Sequence, residues 1–245
     1  MIGRSPDRPD TGDPPPRGLL LLAAAWLVGS VGVSFGLAPP LLAASSTYAP
    51  AIRMTLLVLL AGAAVAWPLL RLSSPSPRRP VTRLLLDLLV IATTFTIAVW
   101  PLRLATPWSA ERTLAILATM VGWTLVIGSL VLWGTRRESG LARTTAMAAI
   151  ALLLLAGSVP ALAAAAGSGL PVTMAFAEAS AGRWQPFIAI LQLADPARGE
   201  LPAGHWGIAA LPLLLAAPLL AIALLARPRP APEIRIRGGP PLLEP

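Results

Sequence analysis

The residues able to do chemistry are few and badly spaced for it. The chain has no Cys and a single His, His205. That excludes disulfides, thiolate zinc sites, iron–sulfur clusters and Cys nucleophiles, and leaves no bis-His haem. All 19 basic residues are Arg. A P-loop needs a Lys to reach the nucleotide phosphates, and a Schiff-base cofactor needs one to bond to, so neither is available here. A nucleophile–base dyad would have to pair Ser168 with His205. Both fall at or beyond the ends of apolar stretches, outside the layer where an intramembrane dyad must sit. Glu111, Glu178, Asp195 and Glu200 show no ligand-like spacing. No catalytic residue, cofactor site or metal site is expected, and the chain is not read as an enzyme.

Asp87 is the one acid inside an apolar stretch. Intramembrane acids often mark ion or proton paths. Arg83 lies four residues earlier on the same helical face, so a paired Arg–Asp close to the headgroups is the plainer expectation. Thr93, Thr94 and Thr96 follow on the same stretch, and their hydroxyls are expected to bond back to their own helix.

The elements that hold these residues are membrane helices. Mean hydropathy is +0.73, with 56% apolar and 12% charged residues. A globule of this size could not bury so much apolar surface. A bilayer core takes about 20 apolar residues per helix. Six stretches qualify, at 18–38, 54–71, 84–102, 113–134, 143–166 and 206–226. They are apolar on all sides and rich in Leu and Ala, so they read as helices and not as alternating barrel strands. The expected fold is all-α: one six-helix transmembrane domain over 18–227, between Pro-rich tails at 1–17 and 228–245 that are expected to be disordered.

The arginines orient those spans. Alternate gaps between stretches are rich and poor, 14 arginines against 5. The positive-inside rule places the rich side, with both termini, in the cytoplasm of a bacterial inner membrane. Lipid headgroups at that face account for the net charge of +8, and no nucleic-acid partner is expected. Trp67 and Trp133 fall at inner ends, with Trp100, Trp206 and Trp108 at outer ends, as an interfacial belt would. Trp26 and Trp123 lie mid-span and are expected to pack between helices. A cleaved signal peptide in place of the first span is the alternative, with a long apolar region against it.

Packing and loop features complete the pattern. Gly29, Gly32 and Gly36 offer a small-residue face on the first span, and Gly62 and Ala66 repeat it on the second. Pro212 and Pro218 should loosen the sixth span. The segment Ser73–Pro80 reads as a Pro-held turn. Within 167–205, Pro171–Ser180 and Trp184–Ala194 are each too short to span and are expected as interfacial or re-entrant helices.

Six spans, cytoplasmic ends and a long external segment before the last span resemble the membrane subunit of ABC-2 type exporters. The local signal is Trp184-Gln185-Pro186-Phe187-Ile188-Ala189-Ile190-Leu191, similar to that family's Pro-aromatic stretch in a re-entrant helix. The resemblance implies a permease subunit, working as a homo- or heterodimer with a separate soluble ATPase. It also implies an external gate at Trp184, Pro186 and Phe187, with substrate passing along the first, second and fifth spans. The family's amphipathic amino-terminal helix has no counterpart in Pro-rich 1–17. ATPase contact would therefore fall to the loops carrying Arg78, Arg79, Arg136 and Arg137. The absence of internal charge suits a hydrophobic or amphipathic cargo. The alternatives are a non-catalytic scaffold subunit of a larger membrane complex and, less favoured, an enzyme acting on lipids.

Overall fold

The computed structural model describes residues 18, 24–29, 45–75, 77, 79–104, 106–137, 139–156, 185–194, 201 and 203–225. Among these residues the chain is all-helical, with no strand. The helices are α1 (Ser45–Ala61), α2 (Trp67–Ser73), α3 (Pro80–Val99), α4 (Ala110–Arg136), α5 (Gly140–Ala156), α6 (Pro186–Leu193) and α7 (Trp206–Leu225). A π-helical turn, Gly62–Ala66, joins α1 to α2 without a break.

Four rods are long and apolar enough to cross a membrane: Ala51–Ser73, Pro80–Arg103, Ala110–Arg136 and Trp206–Leu225. They coincide with the second, third, fourth and sixth apolar stretches. The fifth stretch begins as α5, and its remainder lies outside the described residues. Of the first stretch, only Gly18 and residues 24–29 are described, and both pieces are helical. Leu85, Leu89, Leu152, Leu214 and Leu225 are each more than half exposed, a display of large apolar side chains that suits lipid better than water.

Sequence chemistry sets the helix ends. Ser74, Pro75, Pro77 and Arg79 between α2 and α3 are not helical, and Pro80 takes the first position of α3, where a missing N–H costs nothing. Ser109 caps α4, its side chain accepting from the Arg112 N–H at 3.1 Å. Glu111 in the first turn of α4 complements the helix dipole and accepts from the Trp206 indole N–H at 2.8 Å. Ser139 caps α5 by accepting from the Ala142 N–H at 3.1 Å.

Helix α4 is the hub. It packs against α2, α3, α5, α6 and α7. Its most apolar window is 72% buried, against 28% for that of α7, so α4 is the element shielded from lipid. Three glycines explain how so many neighbours reach it. Residues six apart on a helix are rotated by about 240°, so Gly122, Gly128 and Gly134 open three faces a third of a turn apart. A Cβ on Gly122 would lie 2.9 Å from Pro212 Cγ of α7. On Gly128 it would lie 3.1 Å from Leu84 Cδ1 of α3, and on Gly134 it would lie 2.8 Å from Ala146 Cβ of α5. Helix α7 continues through both Pro212 and Pro218, with Pro212 buried against α4.

Candidate functional site

Two places bring polar or ligand-sized features together. The first lies where α2 meets α3. Trp67 and Arg71 are four residues apart and share a face of the α2 rod. The π turn ahead of them adds one residue to the helical repeat, which rotates that face by about 100° relative to α1. Asp87 lies about 10 Å along α3 from Pro80. It is buried, and Arg71 meets it in a two-pronged ion pair, Nε to Oδ2 and Nη2 to Oδ1. The Trp67 indole N–H donates to Oδ2 at 3.1 Å. Arg83 Nε lies 3.9 Å from Oδ1 and so contributes attraction without a hydrogen bond.

The Arg83–Asp87 pair expected from their four-residue spacing is present at 3.9 Å, but it is the lesser contact. The principal partner is Arg71, from the preceding rod. Trp67 likewise belongs to the core, 1% exposed, and not to an interfacial belt. Trp108 is also buried, whereas Trp100 and Trp206 are exposed. Trp123 is buried on α4 with its indole N–H unpartnered. Trp26 packs over Gly62 and donates from Nε1 to the Val58 carbonyl at 2.8 Å.

The second place is an apolar groove between the α1 rod, α5 and α6. Its volume is about 550 Å³, enough for a sizeable ligand or lipid chain. Val58, Ala61 and Val65 form one wall, Leu154 and Leu155 a second, and Phe187 and Leu191 a third. Among the described residues Gln185 is the one polar residue lining it. Helix α6, within Trp184–Ala194, is too short to span and is seated on α4 and α1 with Ile188, Ala189, Ile190 and Leu193 buried. Gln185 fixes its start. The side-chain oxygen accepts from the Ile188 N–H at 2.8 Å, and the side-chain nitrogen donates to the Leu154 carbonyl of α5 at 3.3 Å.

The residues singled out in the sequence divide as follows. Pro186 is buried at the first position of α6, and Phe187 is half-buried on the groove wall; Trp184 lies outside the described residues. Arg136 donates from Nη1 to the last carbonyls of α7, Ala223 at 2.8 Å and Leu224 at 2.6 Å. Arg137 is exposed and its guanidinium stacks on Trp133, 4.9 Å from the ring centre. Arg79 is exposed at the start of α3, and Arg78 lies outside the described residues. Gly29 is exposed, with nothing within 4 Å of where its Cβ would be; Gly32 and Gly36 lie outside the described residues.

Thr93, Thr94 and Thr96 each donate to the carbonyl four residues back, at 2.8, 2.8 and 2.9 Å. Thr119, Thr124, Ser129 and Thr135 do the same along α4. Their hydroxyls are thereby spent on their own helices. Among the described residues no three His, Cys, Asp or Glu side chains gather as metal ligands. Sequence reasoning missed Arg71, Trp67 and Gln185. The signal for the first two was their four-residue spacing, at the depth of an acid that needed a partner.

Comparison with known protein families, with curated proteins and with solved structures gives no match for this chain.

Proposed function

We propose that this chain is a membrane permease subunit of an ABC-2 type export system. It has six spans with both ends in the cytoplasm of a bacterial inner membrane and works as a homo- or heterodimer. A separate soluble ATPase supplies the energy, and the chain itself carries out no catalysis. The cargo is hydrophobic or amphipathic.

The observation that carries this reading is the apolar groove. It is bounded by the second and fifth spans, two of the three (first, second and fifth) along which such a subunit would pass its substrate, and by the short helix α6, which carries the gate residues Pro186 and Phe187. Its walls suit an apolar chain, and Gln185 offers one polar contact for orientation. The alternation of arginines supports the six-span arrangement, and the insertion of α6 against α4 supports its reading as a re-entrant helix. Arg79 and Arg137 are the exposed arginines left for ATPase contact. Arg136 is better explained by its bonds to α7.

A second reading, a scaffold subunit of a larger membrane complex, is favoured by the self-bonded hydroxyls of α3 and α4, which offer no polar lining for a path. The two are separated by purifying the tagged protein in mild detergent from its native membrane and identifying what accompanies it. A stoichiometric P-loop ATPase is the expected result. Assembly, secretion or redox proteins without an ATPase would overturn the permease reading in favour of the scaffold.

A further inference from the structure

The α2–α3 corner holds more than a structural ion pair. A small cleft with about 30 Å³ of free space, open on one side, lies over Asp87 and is lined by Trp67, Arg71, Arg83, Leu84 and Leu132 among others. That volume suits a small polar group and is too little for a whole lipid. Three prolines on its rim, Pro75, Pro77 and Pro80, bring no backbone N–H to it. The donors it can offer a ligand are therefore mainly guanidinium groups.

Arg71 is bound to Asp87 through Nε and Nη2. Its third nitrogen, Nη1, makes no hydrogen bond among the described residues, although Arg71 lines the cleft. The two-pronged pair also fixes the guanidinium plane, so the remaining N–H groups keep a set direction. A planar fork held in this way is well suited to a phosphate oxygen. Among the described residues that line the cleft, Arg71 and Arg83 set two positive charges against the single negative charge of Asp87. The cleft also lies at the end of a membrane-spanning pair of helices, with Leu84 and Leu132 below it, so a phosphate entering it would do so with apolar wall beneath.

The geometry points to a binding site for the phosphate headgroup of an anionic phospholipid in the cleft between α2 and α3, with Arg71 Nη1 as the directed donor and Arg83 as the second cation. The Arg71–Asp87 pair then has two roles: it compensates the buried carboxylate, and it aims Arg71 at the lipid. The site does not depend on a transport role.

The test is native mass spectrometry of the full chain released from dodecylmaltoside micelles containing dioleoyl-phosphatidylglycerol or dioleoyl-phosphatidylcholine. One retained phosphatidylglycerol, preferred over phosphatidylcholine, is expected. Arg83→Gln should weaken that retention about fivefold, the weight of one arginine at a membrane surface. Arg137→Gln, in the other loop, should leave it unchanged. If Arg83→Gln does not yield folded protein, Arg71→Lys replaces it, since it keeps a charge opposite Asp87 but lacks the third nitrogen. Equal retention of the two lipids, or equal losses from Arg83→Gln and Arg137→Gln, would overturn the site in favour of diffuse surface charge. Full competition by millimolar inorganic phosphate would overturn the assignment to a lipid and make the occupant a soluble phosphate.

Discussion

Arg71 and Asp87, sixteen residues apart in the chain, form a two-pronged buried ion pair that ties the second apolar rod to the third. Burying either charge alone is expensive, and inside a bilayer there is no water to relieve it. The Trp67 indole N–H adds a third bond to the same carboxylate. Asp87 is thus held from one direction by α2, while Arg83, one turn earlier on its own helix, adds attraction.

Breaking this pair from one side should be costly. Asp87→Asn removes the carboxylate and leaves Arg71 largely buried without its counter-charge. A loss of about 3–5 kcal/mol is expected. The measure is thermal unfolding in mild detergent, followed by tryptophan fluorescence. The double variant Arg71→Met, Asp87→Leu should recover most of the loss, because the packing is kept and no lone charge remains. A double variant no more stable than Asp87→Asn would show that the pair itself, and not the orphaned charge, holds the corner.

The helices were legible in the sequence because bilayer spans need only length and apolarity, which 84–102, 113–134 and 206–226 display openly. The turn at Ser73–Pro80 was legible because Pro has few uses inside a helix. The partner of Asp87 was not. Local spacing pointed to Arg83, and the choice of Arg71 depends on how two antiparallel rods align across the turn and on the rotation added by the π turn at Gly62–Ala66. Trp67 misled for a related reason: a Trp near a span end reads as an interfacial anchor until a buried acid is found at its depth. The role of α4 as hub was equally hidden, since Gly122, Gly128 and Gly134 do not follow the four-residue spacing of a single packing face.

Those glycines make a steric prediction. Gly134→Val would push a branched Cβ to within 2.8 Å of Ala146 Cβ. Neither backbone can yield without separating α4 from α5. Overpacking of this kind costs about 1–3 kcal/mol. Gly29→Leu has open space around it, with nothing within 4 Å of the added Cβ, and should leave the unfolding temperature unchanged. If the chain self-associates through that small-residue face, Gly29→Leu should lower the oligomer mass seen by light scattering while the monomer melts normally. A Gly29→Leu protein that melts early would place the residue inside the monomer fold instead.

Gln185 should govern the seating of α6. Gln185→Leu removes the acceptor for the Ile188 N–H and the donor to the Leu154 carbonyl. Losing a cap costs about 1 kcal/mol. The loss should be local. Hydrogen–deuterium exchange over Pro186–Leu193 should accelerate, while exchange along α4 stays as in the parent. Unaltered exchange in α6 would mean that the apolar contacts of Ile188, Ile190 and Leu193 hold the helix without its cap.

The arginines proposed to meet an ATPase need to be tested separately, because they do different structural work. Arg136 satisfies two carbonyls at the end of α7, which no further helical turn covers among the described residues. Arg136→Ala should therefore destabilise the protein by about 1–2 kcal/mol, as loss of a cation at a helix carboxyl end does. Any loss of a partner in that variant is ambiguous, since α7 itself would be loosened. Arg79 and Arg137 are exposed, and Arg137 stacks only on Trp133 of its own helix. Arg79→Glu and Arg137→Glu should each change stability by no more than about 0.5 kcal/mol. If these loops couple to an ATPase, the pair of reversals should abolish its co-purification while the unfolding temperature holds. Retention of the ATPase by that stable double variant would remove both loops from the contact and leave the engagement to another surface of the chain.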